Sequence, residues 1–315
     1  MIADILYILA SIVVLFAGAE GLVRGSASMA IRLGLTPLVA GLTVVAFGTS
    51  APELVVSIKA ALVGQGDIAV GNVVGSNIFN VGIIQGLSAL ICPLPVKWTL
   101  IRIDAPIMVA VSLLVPLAFR SGTCSPAVCA AFVAGLLAYV VMTVLMARRN
   151  TSTNIREEFD EGVPHVSKSG LWDIGLIIGG LGLLIVGANL LVRNAVALAT
   201  DLGVSEAVIG LTIVAAGTSV PELATSIVAA VRKQPDIAVG NVVGSNIFNI
   251  LGILGISGLI HPLTVTNIRA LDHLAMIAFA IALVPMLWSG RLLKRWEGAI
   301  LVAGYAAYLV ALWPA

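Results

Sequence analysis

The chain has 315 residues, 59% of them hydrophobic and only 10% charged, with a net charge of +1 and a mean hydropathy of +1.10. A soluble globular domain is about half apolar and about a quarter charged. So few charges cannot cover a water-facing surface of this size, so the solvent is lipid, and a balance of +1 points to neither nucleic acid nor an acidic partner.

In chain order, apolar runs of about 20 residues, long enough to cross about 30 Å of hydrocarbon, predict ten spans near 4–23, 36–63, 68–92, 103–119, 126–147, 172–192, 206–231, 237–260, 271–289 and 296–313. The fold class is an all-α polytopic membrane protein. The first run lacks the basic flank of a signal peptide and has a copy later in the chain, so it reads as a permanent span. Between the fifth and sixth spans lies a polar segment in which Glu157, Glu158, Asp160 and Glu161 read as a solvated mixed-charge loop. Cys92, Cys124 and Cys129 have no metal-ligand spacing and read as buried thiols. His165, His261 and His273 fall in loops or at span ends, none with a partner at metal spacing.

Residues 41–80, GLTVVAFGTSAPELVVSIKAALVGQGDIAVGNVVGSNIFN, align without a gap to residues 210–249, GLTIVAAGTSVPELATSIVAAVRKQPDIAVGNVVGSNIFN, at an offset of 169 with ten differences in forty positions. The same offset pairs GAEGLVRG (18–25) with GANLLVRN (187–194). The chain therefore divides into two homologous five-span halves, 1–147 and 171–315, joined by a linker at 148–170. Five is odd, so tandem copies enter the membrane from opposite sides. Lysine and arginine accumulate in cytoplasmic loops. With both termini outside, thirteen of the 17 basic residues fall on the cytoplasmic side, and only Lys59, Arg120, Arg193 and Arg269 fall on or near the other. Trp98, Trp172, Trp288, Trp296 and Trp313 sit near span ends, as interfacial anchors do. Inverted repeats of this kind place a substrate site near the midplane between the halves.

The repeated segments place Glu53 and Glu222 inside spans, where an ionised group costs about 2.5–3.5 kcal/mol or more. No lysine or arginine lies mid-span to pair with them, which leaves a bound cation or a proton. Ser50, Glu53 and Ser57 share one helical face, as do Ser219, Glu222 and Ser226. Pro52 and Pro221 each remove a backbone bond, which frees carbonyls of Ala46–Thr49 and Ala215–Thr218 to turn toward an ion. Asn72, Ser76 and Asn80 form a second wall with Asn241, Ser245 and Asn249. For Ser57, Ser226, Asn72 and Asn241, interhelical hydrogen bonding is the competing reading. Gly71–Gly75 and Gly240–Gly244 are GxxxG pairs for close helix packing. Asp67 and Asp236 read as N-caps of the helices that follow. Pooled, these are hard oxygen ligands, and Ca²⁺ takes about six to eight of them in irregular geometry, whereas Mg²⁺ demands a near-octahedral cage. Two carboxylates neutralise one Ca²⁺ or two Na⁺.

The paired GTSAPE…GNVVGSNIFN and GTSVPE…GNVVGSNIFN segments resemble the α-repeats of the sodium/calcium exchanger family, within the cation/Ca²⁺ exchanger superfamily. The resemblance implies that Glu53 and Glu222 are central shared ligands, with Thr49, Ser50, Ser76 and Asn80 in one wall and Thr218, Ser219, Ser245 and Asn249 in the other. It also implies that the carbonyls of Ala46 and Ala215 serve flanking Na⁺ sites and that the first and sixth spans slide across a rigid core. Asn249 stands where potassium-dependent relatives carry aspartate, and the histidine of the proton-coupled branch is missing from GSNIFN. The expected function is Ca²⁺/Na⁺ antiport by alternating access in the cell membrane. Its partners are the two ions and the bilayer, no cofactor takes part, and a monomer suffices. Ca²⁺/H⁺ antiport is the nearest alternative on the same fold, and Mn²⁺ is a further divalent substrate compatible with oxygen ligands. A passive cation channel would need no counter-ion gradient. No H-E-x-x-H or G-x-S-x-G pattern supports hydrolysis.

Overall fold

A computed structural model describes residues 2–154, 169–202, 215–266 and 268–312. Its elements are helices α1 (Ile2–Arg32), α2 (Pro37–Thr49), α3 (Ala51–Leu62), α4 (Gly66–Ile91), α5 (Leu100–Ala118), α6 (Pro126–Asn154), α7 (Gly170–Asp201), α8 (Ala215–Gly217), α9 (Val220–Val231), α10 (Pro235–Ile260), α11 (Ala270–Trp288) and α12 (Arg295–Leu312). Two short strands, β1 (Leu94–Pro95) and β2 (Leu292–Leu293), complete them. Seven described helices are long and apolar enough to cross a membrane, or eight when the bent pair α2–α3 is one span. Of the other expected spans, 206–231 is described only as α8 and α9. Span 296–313 is α12, whose first turn holds Arg295 and Glu297. The acidic linker residues Glu157, Glu158, Asp160 and Glu161, with His165 and Trp313, lie outside the described residues.

Several helices outrun their apolar runs. α1 continues to Arg32 instead of ending near residue 23, because its charged last turns find partners: Arg24 pairs with Glu20 one turn back, and Arg32 Nε meets Asp173 Oδ2 of α7 at 3.1 Å. The expected span 36–63 is broken at Ser50 (φ −81°, ψ 7°) with a 45° bend between α2 and α3. Pro52 falls in the first turn of α3, and Pro221 in the first turn of α9, where a missing N–H has no helical acceptor to lose.

α4 and α10 form the centre, with 67% and 83% of their apolar windows buried. α1 and α7 lie on the flank at 28% and 22%, packed on each other. Their backbones nearly touch. A Cβ on Gly180 would lie 2.6 Å from Leu22 N, and one on Gly18 would lie 2.9 Å from Gly180 O, so only glycine fits. The GxxxG expectation holds for Gly240 and Gly244, whose Cβ positions fall 3.1 Å from Leu38 O and 2.6 Å from Leu42 O of α2. For Gly71 and Gly75, the counterpart positions 207 and 211 are outside the described residues.

Contacts recur at the sequence offset of 169 with the two halves exchanged. β1 pairs antiparallel with β2 (Pro95 opposite Leu292), and Thr123 bridges Thr264, which are the same positions with their halves swapped. Asp67 and Asp236 correct the N-cap reading. The caps are Gln65 and Gln234, and each aspartate sits two residues farther on, with its carboxylate directed off the helix. Asp67 accepts from Thr266 N and Oγ1, both at 2.8 Å, and Asp236 pairs with Lys97 at 3.0 Å. Thr266 is the offset counterpart of Lys97. Cys124 and Cys129 are buried as free thiols, their sulfurs 3.2 Å apart, and Cys92 is half-buried.

Candidate functional site

The helix breaks before α3 and α9 bring the two glutamates to the centre of the molecule, both essentially inaccessible to solvent. The helical-face reading grouped Ser50 with Glu53 and Ser219 with Glu222. The structure crosses them. Ser50 Oγ donates to Glu222 Oε1 at 2.8 Å, and Ser219 Oγ donates to Glu53 Oε1 at 2.9 Å. Each serine ends the helix that leads to its own glutamate, so its hydroxyl leans across the break toward the other half. Ser219 Oγ also lies 3.2 Å from Ser76 Oγ, which joins the first-half wall to the centre.

Ser57 and Ser226 leave the site. Asn72 Nδ2 donates to Ser57 Oγ at 3.0 Å and to Glu53 O at 3.2 Å; Asn241 Nδ2 donates to Ser226 Oγ at 2.9 Å and to Glu222 O at 3.3 Å. These four side chains fasten α3 to α4 and α9 to α10, the interhelical reading. Thr49 Oγ1 donates to Asn241 Oδ1 at 3.2 Å, and the hydroxyls of Thr49 and Thr218 also lie close enough to act on Glu222 and Glu53, respectively.

The Ala46 carbonyl differs from expectation. It is not stripped of its helical bond, since it accepts the Ser50 amide at 3.0 Å, and the hydroxyls of Thr49 and Ser245 also reach it, each at 3.4 Å. Ending α2 at Ser50 keeps that last bond intact. Ala215 opens the short helix α8, and Ser219 N donates to the next carbonyl, Ala216 O, at 3.1 Å.

Asn80 and Asn249 each open a π-helical turn, Asn80–Gln85 and Asn249–Leu254, a geometry frequent at functional positions. Their amides are aimed by two residues that helical-face reasoning passed over. Asn80 Nδ2 donates to Asn246 Oδ1 at 2.9 Å, and Asn249 Nδ2 donates to Asn77 Oδ1 at 3.0 Å. Asn77 and Asn246 in turn donate to each other's backbone carbonyls at 3.2 and 3.4 Å. With their NH₂ groups committed, Asn80 and Asn249 keep their Oδ1 atoms without a partner, and the Oε2 atoms of Glu53 and Glu222 are likewise unpartnered. The signal for Asn77 and Asn246 was the extra asparagine in each GSNIFN, a third costly amide inside each apolar span.

The centre therefore holds two carboxylates and two amide oxygens with lone pairs unspent, lined by hydroxyls. Taking an ion out of water costs several kcal/mol even after relaxation, and the serine and threonine hydroxyls at each carboxylate do not offset that. A cation among these oxygens would.

The sodium/calcium exchanger protein family matches two blocks of the chain, residues 4–145 and 172–313. The chain is 34% identical over 350 residues to the sodium/calcium exchanger MaX1 of Methanosarcina acetivorans, covering 98% of each chain. It is 34% identical over 325 residues to the inner membrane protein YrbG of Escherichia coli K12, covering 99% of this chain and 97% of that one. Its fold is similar to that of the sodium-calcium exchanger NCX_Mj soaked with 2.5 mM Na⁺ and 0.1 mM Ca²⁺, with a TM-score of 0.84, 30% identity and complete coverage of both chains. With a doubled carboxylate–amide centre buried among apolar helices and a family match along nearly its whole length, the chain belongs to the sodium/calcium exchanger family of multi-pass cation/Ca²⁺ antiporters.

Proposed function

We propose that the chain exchanges Ca²⁺ for Na⁺ across the cell membrane by alternating access, electrogenically and without K⁺, with one monomer sufficient for transport. The observation that carries this reading is the set of four buried oxygens without a hydrogen-bond partner among the described residues: Glu53 Oε2, Glu222 Oε2, Asn80 Oδ1 and Asn249 Oδ1. Two negative charges match one Ca²⁺ or two Na⁺, and neutral amides at 80 and 249 leave no further charge for a K⁺. The proposed ligand set is Glu53, Glu222, Thr49, Thr218, Ser50, Ser219, Ser76, Ser245, Asn80 and Asn249, with the carbonyls of Ala46 and Ala215 flanking. Entry of more than two Na⁺ per Ca²⁺ moves net charge, so about 100 mV adds about 2.3 kcal/mol per charge moved.

The topology in this proposal is ten spans in two inverted halves, 1–147 and 171–315, with a cytoplasmic linker at 148–170 and both termini outside. The contacts agree with it. Arg32–Asp173, Lys97–Asp236, Arg232–Glu20, Trp98–Trp288 and β1–β2 each join residues assigned to the cytoplasmic side, and Asp67–Thr266 and Thr123–Thr264 join residues assigned outside.

The test is Ca²⁺ uptake into proteoliposomes loaded with Na⁺, K⁺ or acidic buffer. Uptake driven by the Na⁺ gradient alone is the expected result. Equal uptake driven by a proton gradient alone would move the chain to Ca²⁺/H⁺ antiport, and uptake without any gradient would make it a channel.

A further inference from the structure

Glu53 and Glu222 are sealed from solvent, so exchange requires something to move away from them. Part of that seal comes from α7. Leu181 lies over Gly48 and Val192 over Gly217, so closely that a Cβ on either glycine would sit 2.8 or 2.6 Å from the side chain above it. These are the helix breaks that lead to the two carboxylates. α7 is joined to α1 by backbone contact at Gly18 and Gly180 and by the Arg32–Asp173 ion pair, so the two helices form one unit against the core.

That unit has a charged hold on the core at one end. Glu20 of α1 accepts from Arg232 Nε at 2.7 Å, where Arg232 caps α9, the helix that carries Glu222. Arg24 pairs with the other Glu20 oxygen, and the Arg232 guanidinium lies 6.0 Å from the Phe16 ring centroid, so both partners are held in place. Glu20 is only 14% exposed, which limits screening. At the opposite end the offset of 169 replaces Glu20 with Asn189 and Arg232 with Val63. Asn189 Nδ2 donates to Ile185 O of its own helix at 2.9 Å, and Val63 is 69% exposed. Among the described residues this hold is built on one side only.

We propose that Glu20 and Arg232 form a latch that keeps the α1–α7 unit against the core at the Arg232 end, and that it breaks each time the carboxylate centre opens there. Among the described residues the Asn189–Val63 end has no such latch, and on this proposal it opens more readily. The latch rests on the alternating-access reading, in which the Arg232 end is cytoplasmic.

The test uses spin labels on cysteines introduced at Leu33, beyond the end of α1, and Lys233, beside Arg232, with the three native cysteines replaced by alanine. Pulsed dipolar distances then report opening at that end whichever counter-ion drives transport. Glu20→Gln and Arg232→Gln are each expected to raise the long-distance population about two- to fivefold, the range for a partly exposed ion pair. The Glu20→Gln/Arg232→Gln double variant should shift it no further than either single one. In vesicles of each orientation, the apparent KM for Ca²⁺ should fall on the Arg232 side and rise on the other. Unchanged distances, additive effects in the double variant, or KM values that move together on both sides would overturn the latch. If uptake proves proton-driven while the distances shift as expected, the Na⁺ reading fails and the latch stands.

Discussion

Around Glu53 and Glu222 one half of the molecule nearly repeats the other: each carboxylate takes a hydroxyl from the opposite half, at 2.8 and 2.9 Å, and each ligand amide is aimed by the opposite asparagine, at 2.9 and 3.0 Å. Away from the centre the ends diverge. One end carries Glu20–Arg232 and Lys97–Asp236 as ion pairs, whereas the other holds Asp67 with the neutral Thr266 and places Asn189 and Val63 where the first pair would be. On the proposals above, the doubled centre would set which ions are held, and the unequal ends would set how readily each side opens to release them.

The largest effects should come from breaking the doubled centre. Glu53→Gln or Glu222→Gln leaves one charge against a divalent ion, so Ca²⁺ transport should fall at least about 30-fold in either variant, the cost of losing one member of a buried charge pair. Isotope uptake at saturating and limiting Ca²⁺ checks it, and a silent variant at either position would end the symmetric reading. Next come the aiming residues. Asn77→Leu or Asn246→Leu strands the amide of Asn249 or Asn80 without its acceptor, and Ca²⁺ affinity by calorimetry should drop about tenfold, with helical content retained.

Ser219→Ala should weaken Ca²⁺ binding more than Ser50→Ala, because Ser219 also lies beside Ser76. A loss of about tenfold for the first and less for the second would sharpen the comparison, and the reverse order would break it. On the flank, Gly180→Ala drives a Cβ into the Leu22 amide and should cost about 1–3 kcal/mol, read as a lower Tm in detergent. Gly182→Ala, with open space at its Cβ, should leave Tm unchanged. The smallest effect belongs to Lys97→Met, which removes a partly exposed ion pair at one end and should change stability by less than about 1 kcal/mol.

Much of this centre was legible before any coordinates. The repeat, the buried glutamates and the asparagine–serine wall follow from residue types that are costly in lipid, spaced at helical periods. What one chain read one helix at a time cannot show is which half a side chain serves. Ser50 and Glu53 share a face, yet the non-helical Ser50 backbone turns the hydroxyl to Glu222. Asn77 sits one residue off the Ser76 face and meets its partners only across the symmetry axis. The N-cap reading of Asp67 and Asp236 failed because the caps lie two residues earlier, at Gln65 and Gln234.

The crossed serines bear on the order of events in a transport cycle. A hydroxyl has a single proton, and here it is spent on the carboxylate of the other half. A cation bound at the free Oε2 of Glu222 would share that carboxylate with Ser50, and Ser50 is the joint between α2 and α3. On the proposed function, loading one carboxylate would thus be felt at the helix break of the opposite half, through the hydroxyl that joins them. A carrier wired in this way would sense at each break what the other half has bound.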